Sequence, residues 1–337
     1  MIALSVLDQS PVPNGSTAAE ALHDTVVLAS HAERLGYRRY WLAEHHNTAS
    51  LAGSAPEVLT GYVASQTSSI RVGAGGVLLS HYSALKVAET FNVLSALFPG
   101  RIDLGLARAD GADAPAVAAL QGARGPVGEA EYRDRLIDLL AFLEPIGDES
   151  RRLGGIRAMP EGVAPPEVWV LGSSSHGAAL AATLGLPFCF AHFISPRFAV
   201  QILAAYRGTF QPSSRCPQPR AIVAVSVICA DTDADAELLA ASDDVWHLRA
   251  EGGDRGPLLS APEAACYSAT ALERELITQH RTRRILGSPS RVHAALVDLA
   301  ASCCVDELVV RTICHDPSAR LRSYQLLAQA FGLQRCP

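Results

Sequence analysis

The sequence predicts a single parallel (β/α)8 barrel, a TIM barrel, with insertions after strands 4 and 7. Eight short apolar segments alternate with longer segments of helical period. The 337 residues exceed the roughly 250 of a plain barrel, and 49% of them are hydrophobic. An open doubly wound sheet is the alternative, but residues 8–17 lack the Gly-x-Gly-x-x-Gly turn typical of that fold. We therefore expect one domain over residues 1–337.

The first half of the chain contains four predicted strand–helix units. Apolar residues at three- and four-residue spacing, such as Leu22, Val26 and Ala29, indicate the first helix, and Gly36 is a typical stop signal after it. Residues 111–128, rich in Ala, Gly and Pro, predict a long loop as the first insertion. The predicted strands are 2–7, 39–43, one within 70–79, and 102–107, and the predicted helices are 18–35, 56–68, 84–97 and 132–143.

The second half continues the alternation. After a loose stretch at 147–166, the predicted strands are 168–171, 188–191, 221–229 and 307–311, and the predicted helices are 178–184, 197–210, 234–248, 290–301 and 319–331. The glycine-rich segment 250–262 predicts the second insertion, a mobile excursion from the barrel. The short basic run 281–284 is expected to be a solvated helix end.

Composition and charge limit the classes of function. A formal net charge of −6 gives no electrostatic reason to expect nucleic acid or an anionic membrane surface as a partner. No apolar run approaches the ~20 residues that span a bilayer, and residues 1–4 lack the basic start of a secretory signal, so we expect a cytoplasmic protein. The eight cysteines include no Cys-x-x-Cys pair. Buried reduced thiols are therefore expected, and no metal.

Barrel enzymes carry their catalytic groups at the C-terminal ends of the strands. Glu44-His45-His46 follows the second strand, and Asp8-Gln9-Ser10 follows the first. Successive strand side chains face opposite ways, so His45 and His46 are not expected to bind one metal together. His45 is the main candidate for proton transfer near neutral pH. Glu44 is the second catalytic candidate; its alternative role, shared with His46, is to hold the strand end.

Two glycine-containing segments and one arginine suit an anionic planar cofactor. Gly172-Ser173-Ser174, with Gly177 beyond them, joins a strand to a helix whose first N–H groups suit a phosphate, although an ordinary serine cap is the alternative. Gly75-Gly76 within the third strand indicates close approach of a ligand, or a kink of the barrel. Arg108 ends the fourth strand, where a fixed cation suits a phosphate or a flavin anion.

Four further side chains are expected to line a substrate pocket at the same end of the barrel. They are aromatic or imidazole groups in loops and helices that follow strands, and they suit an aromatic or long-chain substrate. These residues are His81, Tyr82, His192 and Trp246, and Phe193 is expected beside them in the same mouth.

Seven short blocks together resemble the luciferase-like flavin monooxygenase family. The blocks occur in the family's order and span residues 2 to 333, so the likeness covers nearly the whole chain. They are residues 8–11, 43–46, 75–79, 85–89, 99–106, 184–187 and 305–308.

The resemblance implies a commonly dimeric barrel that takes reduced FMN from a separate flavin reductase. O2 then forms a flavin peroxide, which oxidises a small organic substrate. Proteins of this kind often modify natural products, as in antibiotic biosynthesis. The alternatives are a deazaflavin-dependent oxidoreductase and a flavin-binding protein without turnover.

The resemblance also implies roles for particular residues. Gly75-Gly76 corresponds to a non-prolyl cis peptide under the flavin ring, and His45 to a residue that handles protons beside it. Ser173, Ser174 and Gly177 correspond to the phosphate cradle, with Arg108 nearby. Residues 250–262, or somewhat beyond within 250–285, correspond to a mobile lid that closes over flavin and substrate. Where relatives often carry a further arginine pair, this chain offers Arg124 or Arg133.

Overall fold

A computed structural model describes residues 2–109, 111–122, 125–144 and 153–334. Its strands are β1 (Ala3–Asp8), β2 (Arg39–Leu42), β3 (Arg71–Leu78), β4 (Ile102–Ala107), β5 (Glu167–Gly172), β6 (Phe188–Ala191), β7 (Ala221–Cys229), β8 (Arg284–Gly287) and β9 (Glu307–Arg311). Its α-helices are α1 (Ala18–Leu35), α2 (Pro56–Gln66), α3 (Ala84–Leu97), α4 (Ala114–Gln121), α5 (Glu129–Leu143), α6 (Ser175–Thr183), α7 (Ala199–Thr209), α8 (Asp233–Glu251), α9 (Ala261–Ala265), α10 (Ala271–Arg281), α11 (Pro289–Cys303) and α12 (Pro317–Phe331).

Eight of these strands close into a parallel barrel. Strands β1 to β7 pair in sequence order, β7 pairs with β9, and β9 pairs with β1. The ninth strand, β8, lies beside the C-terminal half of β7, from Ser226 to Cys229. The predicted (β/α)8 barrel is therefore confirmed, and the chain from α8 to β8 forms the second insertion.

The structure corrects three local predictions. Residues 111–128 hold helix α4, capped by Asp113 with Pro115 in its first turn, where the sequence predicted only a loop. Within the second insertion, α10 and β8 were not predicted. The run 281–284 is a helix end only in part, because Arg284 begins β8 and is buried against Asp243. Part of the loose stretch 147–166 lies outside the described residues.

Alternation along the strands sorts the barrel interior into layers. The middle layer is apolar and includes Leu7, Trp41, Trp169, Cys189 and Val309. On β9, Glu307 and Arg311 lie two residues before and after Val309, so the pleat points all three side chains inward. Glu307 consequently lies at the N-terminal end of the barrel, and Arg311 at the end where functional groups are expected.

The N-terminal layer is a buried ion network centred on Arg39. Its guanidinium lies 2.9 Å from Asp103, 2.8 Å from Glu167 and 2.8 Å from Glu307. Arg39 and Asp103 are almost fully buried. A buried charge is tolerated only when paired and hydrogen-bonded, so this network closes the base of the barrel.

Candidate active site

A cavity of about 680 Å³ opens at the C-terminal ends of the strands. Its floor is apolar and includes Leu7, Trp41, Cys189 and Ala224, which belong to or pack on the middle layer of the barrel. Its polar wall comes from strand ends and the loops that follow them. The wall contains Gln9, Glu44, His45, Gly75, Gly76, Ser80, Arg108, Gln121, Tyr132, Gly172, Ser173, Ser174, His176 and Gly177. The strand-end residues predicted as catalytic or cofactor-binding therefore meet in one space.

His45 lies in this wall with one ring nitrogen engaged. Its Nε2 is 3.3 Å from the side-chain nitrogen of Gln9. Its Nδ1 is buried and has no hydrogen-bond partner among the described residues. Burial, with the positive charge of Arg311 and the neighbouring His46, lowers the pKa of His45 to about 4. The imidazole is therefore neutral near pH 7.

Glu44 points away from His45 and binds the end of β3. One carboxylate oxygen accepts the Tyr82 hydroxyl at 2.6 Å and faces His46 Nε2 at 2.8 Å. The other oxygen accepts the backbone N–H of Leu78 at 2.9 Å. The buried carboxylate thus has partners at both oxygens, which ties the loop after β2 to the strand that carries Gly75 and Gly76.

The peptide between Gly75 and Gly76 is cis, as the resemblance implied. The pairing of β3 with β4 shifts register between Ala74 and Val77, which marks a bulge at the two glycines. A Cβ at Gly76 would lie 2.7 Å from the carbonyl oxygen of Gly105, and one at Gly75 would lie 2.7 Å from Trp41. Glycine is thus required by close packing against β4 and Trp41.

The start of α6 forms another part of the cavity wall. Ser174 caps the helix by accepting the backbone N–H of Gly177 at 3.4 Å. A Cβ at Gly172 or Gly177 would meet no atom closer than 3.8 Å. Both glycines line the cavity beside a helix N-terminus, whose first backbone N–H groups suit an anionic group such as a phosphate.

Arg108 stands near this helix start but is shared with an acidic residue. Its guanidinium lies 2.6 Å from one oxygen of Glu129, and His176 Nδ1 lies 3.4 Å from the other. The hydrogen bond from Arg108 lowers the pKa of Glu129. A phosphate at this site would compete with Glu129 for Arg108 and His176.

The two candidates for a second phosphate-binding arginine are not at the cavity wall. Arg133 is exposed and lies 3.4 Å from Asp134. Arg124 lies outside the described residues.

Two cavity residues were missed by the sequence analysis. Ser80 and Tyr132 are buried, and neither hydroxyl has a hydrogen-bond partner within the part of the chain that the structure describes. Buried hydroxyls are nearly always bonded, so these two are available to a polar ligand. With His45 Nδ1 they are three buried polar atoms without a partner among the described residues, on side chains that line one cavity. Together with the anion-compatible helix start, they fit a cofactor that joins a ring to a polar chain and a phosphate.

Of the residues predicted for the substrate pocket, Phe193 lines the cavity, whereas the other four do not. His81 is buried beside Gln121, with 3.3 Å between their side-chain nitrogens, and Tyr82 binds Glu44. Burial lowers the pKa of His192. Trp246 lies on α8 and packs against His247, with 4.8 Å between ring centroids. Contact of these four residues with a substrate stays a prediction.

The predicted lid is folded against the loop that follows β1. Leu258 is fully buried, donates its N–H to the Val12 carbonyl at 3.0 Å and accepts the Asn14 N–H at 2.7 Å. The lid segment also contains α9 and α10. Its mobility stays a prediction.

Comparison with known proteins identifies the family. The model of the luciferase-like monooxygenase family matches residues 2–306. The chain belongs to this family. The sequence resemblance is thereby confirmed, and the protein is a luciferase-like monooxygenase.

Similar proteins extend over almost the full length of this monooxygenase. A luciferase-like monooxygenase of Escherichia coli K12 is 38% identical and matches 96% of each chain. The N-acetyl-S-alkylcysteine monooxygenase of Bacillus subtilis is 37% identical and matches 98% of each chain. The crystal structure of apo-MsnO8 has a TM-score of 0.92 at 42% identity and covers 99% of each chain.

A more distant solved structure shares the fold. It is the oxygenating constituent of 3,6-diketocamphane monooxygenase from Pseudomonas putida in complex with FMN, with a TM-score of 0.68, 20% identity and 98% coverage of each chain. Across the described ranges, no three His, Cys, Asp or Glu side chains cluster where they could share a metal ion. In the same ranges, no helix combines the length and apolarity needed to cross a membrane.

Proposed function

We propose that this luciferase-like monooxygenase binds reduced FMN from a separate flavin reductase and uses O2 to oxidise a small organic substrate. The observation that carries the proposal is the single cavity at the strand ends. The proposal is supported by the lining of this cavity, which includes the Gly75-Gly76 peptide, the start of α6 and His45, whose Nδ1 has no partner among the described residues.

In the proposed complex, each part of the cavity has a distinct task. Ser173, Ser174 and Gly177 hold the phosphate at the start of α6, Arg108 adds positive charge, and the ring of His176 adds a hydrogen-bonding group. Gly75 and Gly76 present backbone to the flavin ring. Bound reduced FMN supplies the electrons with which O2 is activated.

The remaining residues control water and protons. The apolar floor around Leu7, Trp41 and Ala224 excludes water from the reacting region. His45 is neutral near pH 7 and supplies a polar hydrogen or a proton-accepting nitrogen there. Glu44 holds the loop of His45 against the end of β3, so its proposed role is positioning.

The decisive experiment reacts photoreduced FMN with air in the presence and absence of the protein. We expect tight binding of FMN, an altered rate of flavin reoxidation, and slower release of hydrogen peroxide than from free FMN. With a true substrate, one oxygen atom from 18O2 appears in the product. Unchanged flavin reoxidation, despite binding, would favour the alternative of a flavin-binding protein without turnover.

A deazaflavin-dependent oxidoreductase is the second enzymatic alternative, because a deazaflavin has a ring similar to that of a flavin. Parallel fluorescence titrations with FMN and with an 8-hydroxy-5-deazaflavin separate the two. Preference for the deazaflavin, with no effect on the O2 reaction of reduced FMN, would overturn the proposal.

One relative has a name that states its substrate, and this name suggests a substrate class to test. We propose N-acetyl-S-alkylcysteines as the first compounds to test, since the Bacillus subtilis enzyme that is named for them is 37% identical. Oxygen uptake that is stimulated by N-acetyl-S-methylcysteine but not by N-acetylalanine would support sulfides as substrates. A role in natural-product tailoring or antibiotic biosynthesis stays a prediction from the family resemblance.

We also propose a cytoplasmic homodimer, as the resemblance implies. Helices α2 and α3 pack together and expose four apolar side chains, Val58, Tyr62, Val93 and Leu97. Exposed apolar patches of this kind favour protein contacts. Sedimentation equilibrium of the wild type and of Leu97→Glu tests this face; two monomeric samples would reject the dimer.

A further inference from the structure

Three side chains form a hydrogen-bonded line behind the cavity wall. Arg311, at the end of β9, donates from Nη1 to the side-chain oxygen of Gln9 at 3.2 Å. The side-chain nitrogen of Gln9 then lies 3.3 Å from Nε2 of His45. Gln9 follows β1 and His45 follows β2, so three neighbouring strands each contribute one member.

The chemistry of arginine sets the direction of this line. A guanidinium has only N–H donors, so the Gln9 atom that faces Arg311 must be the carbonyl oxygen. The atom that faces His45 is consequently the amide NH₂, which can only donate. His45 Nε2 must therefore accept, and a neutral imidazole that accepts at Nε2 carries its hydrogen on Nδ1.

Arg311 is itself fixed. Its Nη2 donates to the Ser226 hydroxyl at 3.2 Å, and its guanidinium lies 4.7 Å above the ring of Phe193. The arginine is buried, so water cannot replace either contact at low cost. The guanidinium of Arg311 therefore faces the Gln9 side chain in one fixed orientation.

The turn that carries Gln9 is equally fixed. The carboxylate of Asp8 accepts the Ser10 backbone N–H at 2.7 Å and pairs with Arg320 at 2.5 Å. It also accepts the Tyr40 hydroxyl. Asp8 is fully buried, so these bonds hold the start of the loop in which Gln9 turns toward the cavity.

We propose that Gln9 and Arg311 are positioning residues that hold His45 in its Nδ1–H tautomer, so that His45 presents a hydrogen-bond donor to the cavity. Nδ1 is the ring atom that is buried without a partner in the described part of the chain, as a donor reserved for a ligand would be. The tautomer follows from the residues alone. Only the identity of the acceptor, a group of flavin, oxygen or substrate, rests on the proposed function.

Charged neighbours support the neutral state that this arrangement needs. Arg311 and His46 both disfavour a positive charge on His45. Glu44 could favour it, but its oxygens are directed to Tyr82, His46 and the Leu78 N–H. His45 consequently acts near pH 7 as a donor, and not as a general base at Nδ1.

The tautomer is measurable by 15N NMR of protein labelled at histidine, without flavin. Comparison with His45→Asn assigns the His45 signals, because one pair of ring-nitrogen resonances disappears. In the wild type at pH 7 we expect a protonated Nδ1 and an unprotonated Nε2. The opposite pattern, or a doubly protonated ring, would overturn the proposal.

Two variants of Gln9 test its part directly. Gln9→Glu replaces the donating amide by an acceptor, so the hydrogen should move to Nε2 and the pKa of His45 should rise by roughly one to three pH units. Gln9→Met removes the donor, so both neutral tautomers should be populated. Gln121→Met is the matched control, since Gln121 lies beside His81, and it should leave the His45 signals unchanged.

The same variants separate this inference from the proposed function. If Gln9→Glu leaves the ring nitrogens of His45 as in the wild type, the positioning role is refuted whatever the flavin result. If the tautomer responds as expected but the protein binds no FMN, the proposed function fails and the positioning role stands. If both hold, Gln9→Met should raise hydrogen peroxide release severalfold while FMN affinity stays within a few-fold.

Discussion

Ser174 offers the sharpest test of the proposed phosphate site. Its side chain caps α6 and lies at the cavity wall. Asp and Asn cap helices about as well as Ser, so Ser174→Asp and Ser174→Asn should both preserve the helix start. The two variants differ in one negative charge, and their comparison therefore isolates electrostatic repulsion of the phosphate.

The magnitude follows from the position of the side chain. A phosphate bound by the first N–H groups of α6 would lie about 5 Å from a carboxylate at residue 174. At that distance two unit charges repel by about 1 kcal/mol in water and about 3 kcal/mol at an effective dielectric constant of 20. Ser174 is exposed, which places the expected value toward the lower end. Ser174→Asp should therefore weaken FMN binding roughly 5- to 100-fold relative to Ser174→Asn.

Titration of FMN fluorescence gives both dissociation constants, and riboflavin provides the internal control because it lacks the phosphate. With riboflavin, the Asp and Asn variants should bind alike. Equal FMN affinities in the two variants would remove the start of α6 from the cofactor site. A loss with riboflavin as large as with FMN would show that the aspartate disturbs the cavity and not the phosphate.

Three further predictions concern the reacting group, the base of the barrel and pH. His45→Ala should keep FMN affinity within a few-fold, because His45 lies away from the phosphate cradle, but it should divert oxygen to hydrogen peroxide. If the ratio of product formed to oxygen consumed stays unchanged, His45 has no chemical role. Arg39→Met should lower the free energy of unfolding by about 3–5 kcal/mol, because it breaks a buried ion network. Arg133→Met removes only an exposed ion pair and should lower that free energy by at most about 1 kcal/mol. Urea unfolding measures both losses of stability, and equal losses would contradict the reasoning. Burial alone would raise the pKa of Glu33, but N–H groups of Ile70, Ser69 and Ser68 hold it at about 2. The carboxylate therefore stabilises the fold above its unfolded pKa near 4.5, and this contribution is lost as the pH falls through that value toward 2. Glu33→Gln should cost about 2–3 kcal/mol at pH 6 and almost nothing at pH 2, and a loss of stability that is independent of pH would show that the charge is not responsible.

Local sequence patterns were sufficient to predict the barrel. Helix α1 and strand β7 have the bounds that the apolar pattern predicted, because α1 buries one regular face and β7 is a continuous run of buried residues. Gly36 adopts the left-handed conformation expected of a residue that ends a helix.

The elements that were missed have no such face. Helix α4 is Ala-rich and buries only Gln121, and α10 buries only His280. Strand β8 begins with a charged residue, Arg284, which is buried because α8 places Asp243 and Asp244 against it. An ion pair between residues some forty positions apart leaves no local pattern to recognise.

The candidate site was predictable in position but not in its connections. His45, Gly75 and Ser174 could be predicted because they lie near the C-terminal ends of strands, and barrel topology brings such residues to one end of the fold. It could not select Arg311, because the bond from Arg311 to Gln9 spans 302 positions and depends on the register of β9 beside β1. Tyr132 was likewise missed, because its hydroxyl differs from a core tyrosine only in lacking a partner among the described residues.

The two strand-end motifs share one physical logic. In Asp8-Gln9 and in Glu44-His45, the buried carboxylate of the first residue accepts donors from neighbouring elements, and the second residue faces the cavity. Buried carboxylates require such partners, so the loops after β1 and β2 are each fixed at their first residue. Gln9 and His45 therefore lie side by side in two loops that are each fixed by their own buried carboxylate. A long contact of 3.3 Å between two side-chain nitrogens can therefore define a single tautomer, because the bond from Arg311 to the Gln9 oxygen decides which end of the amide faces His45.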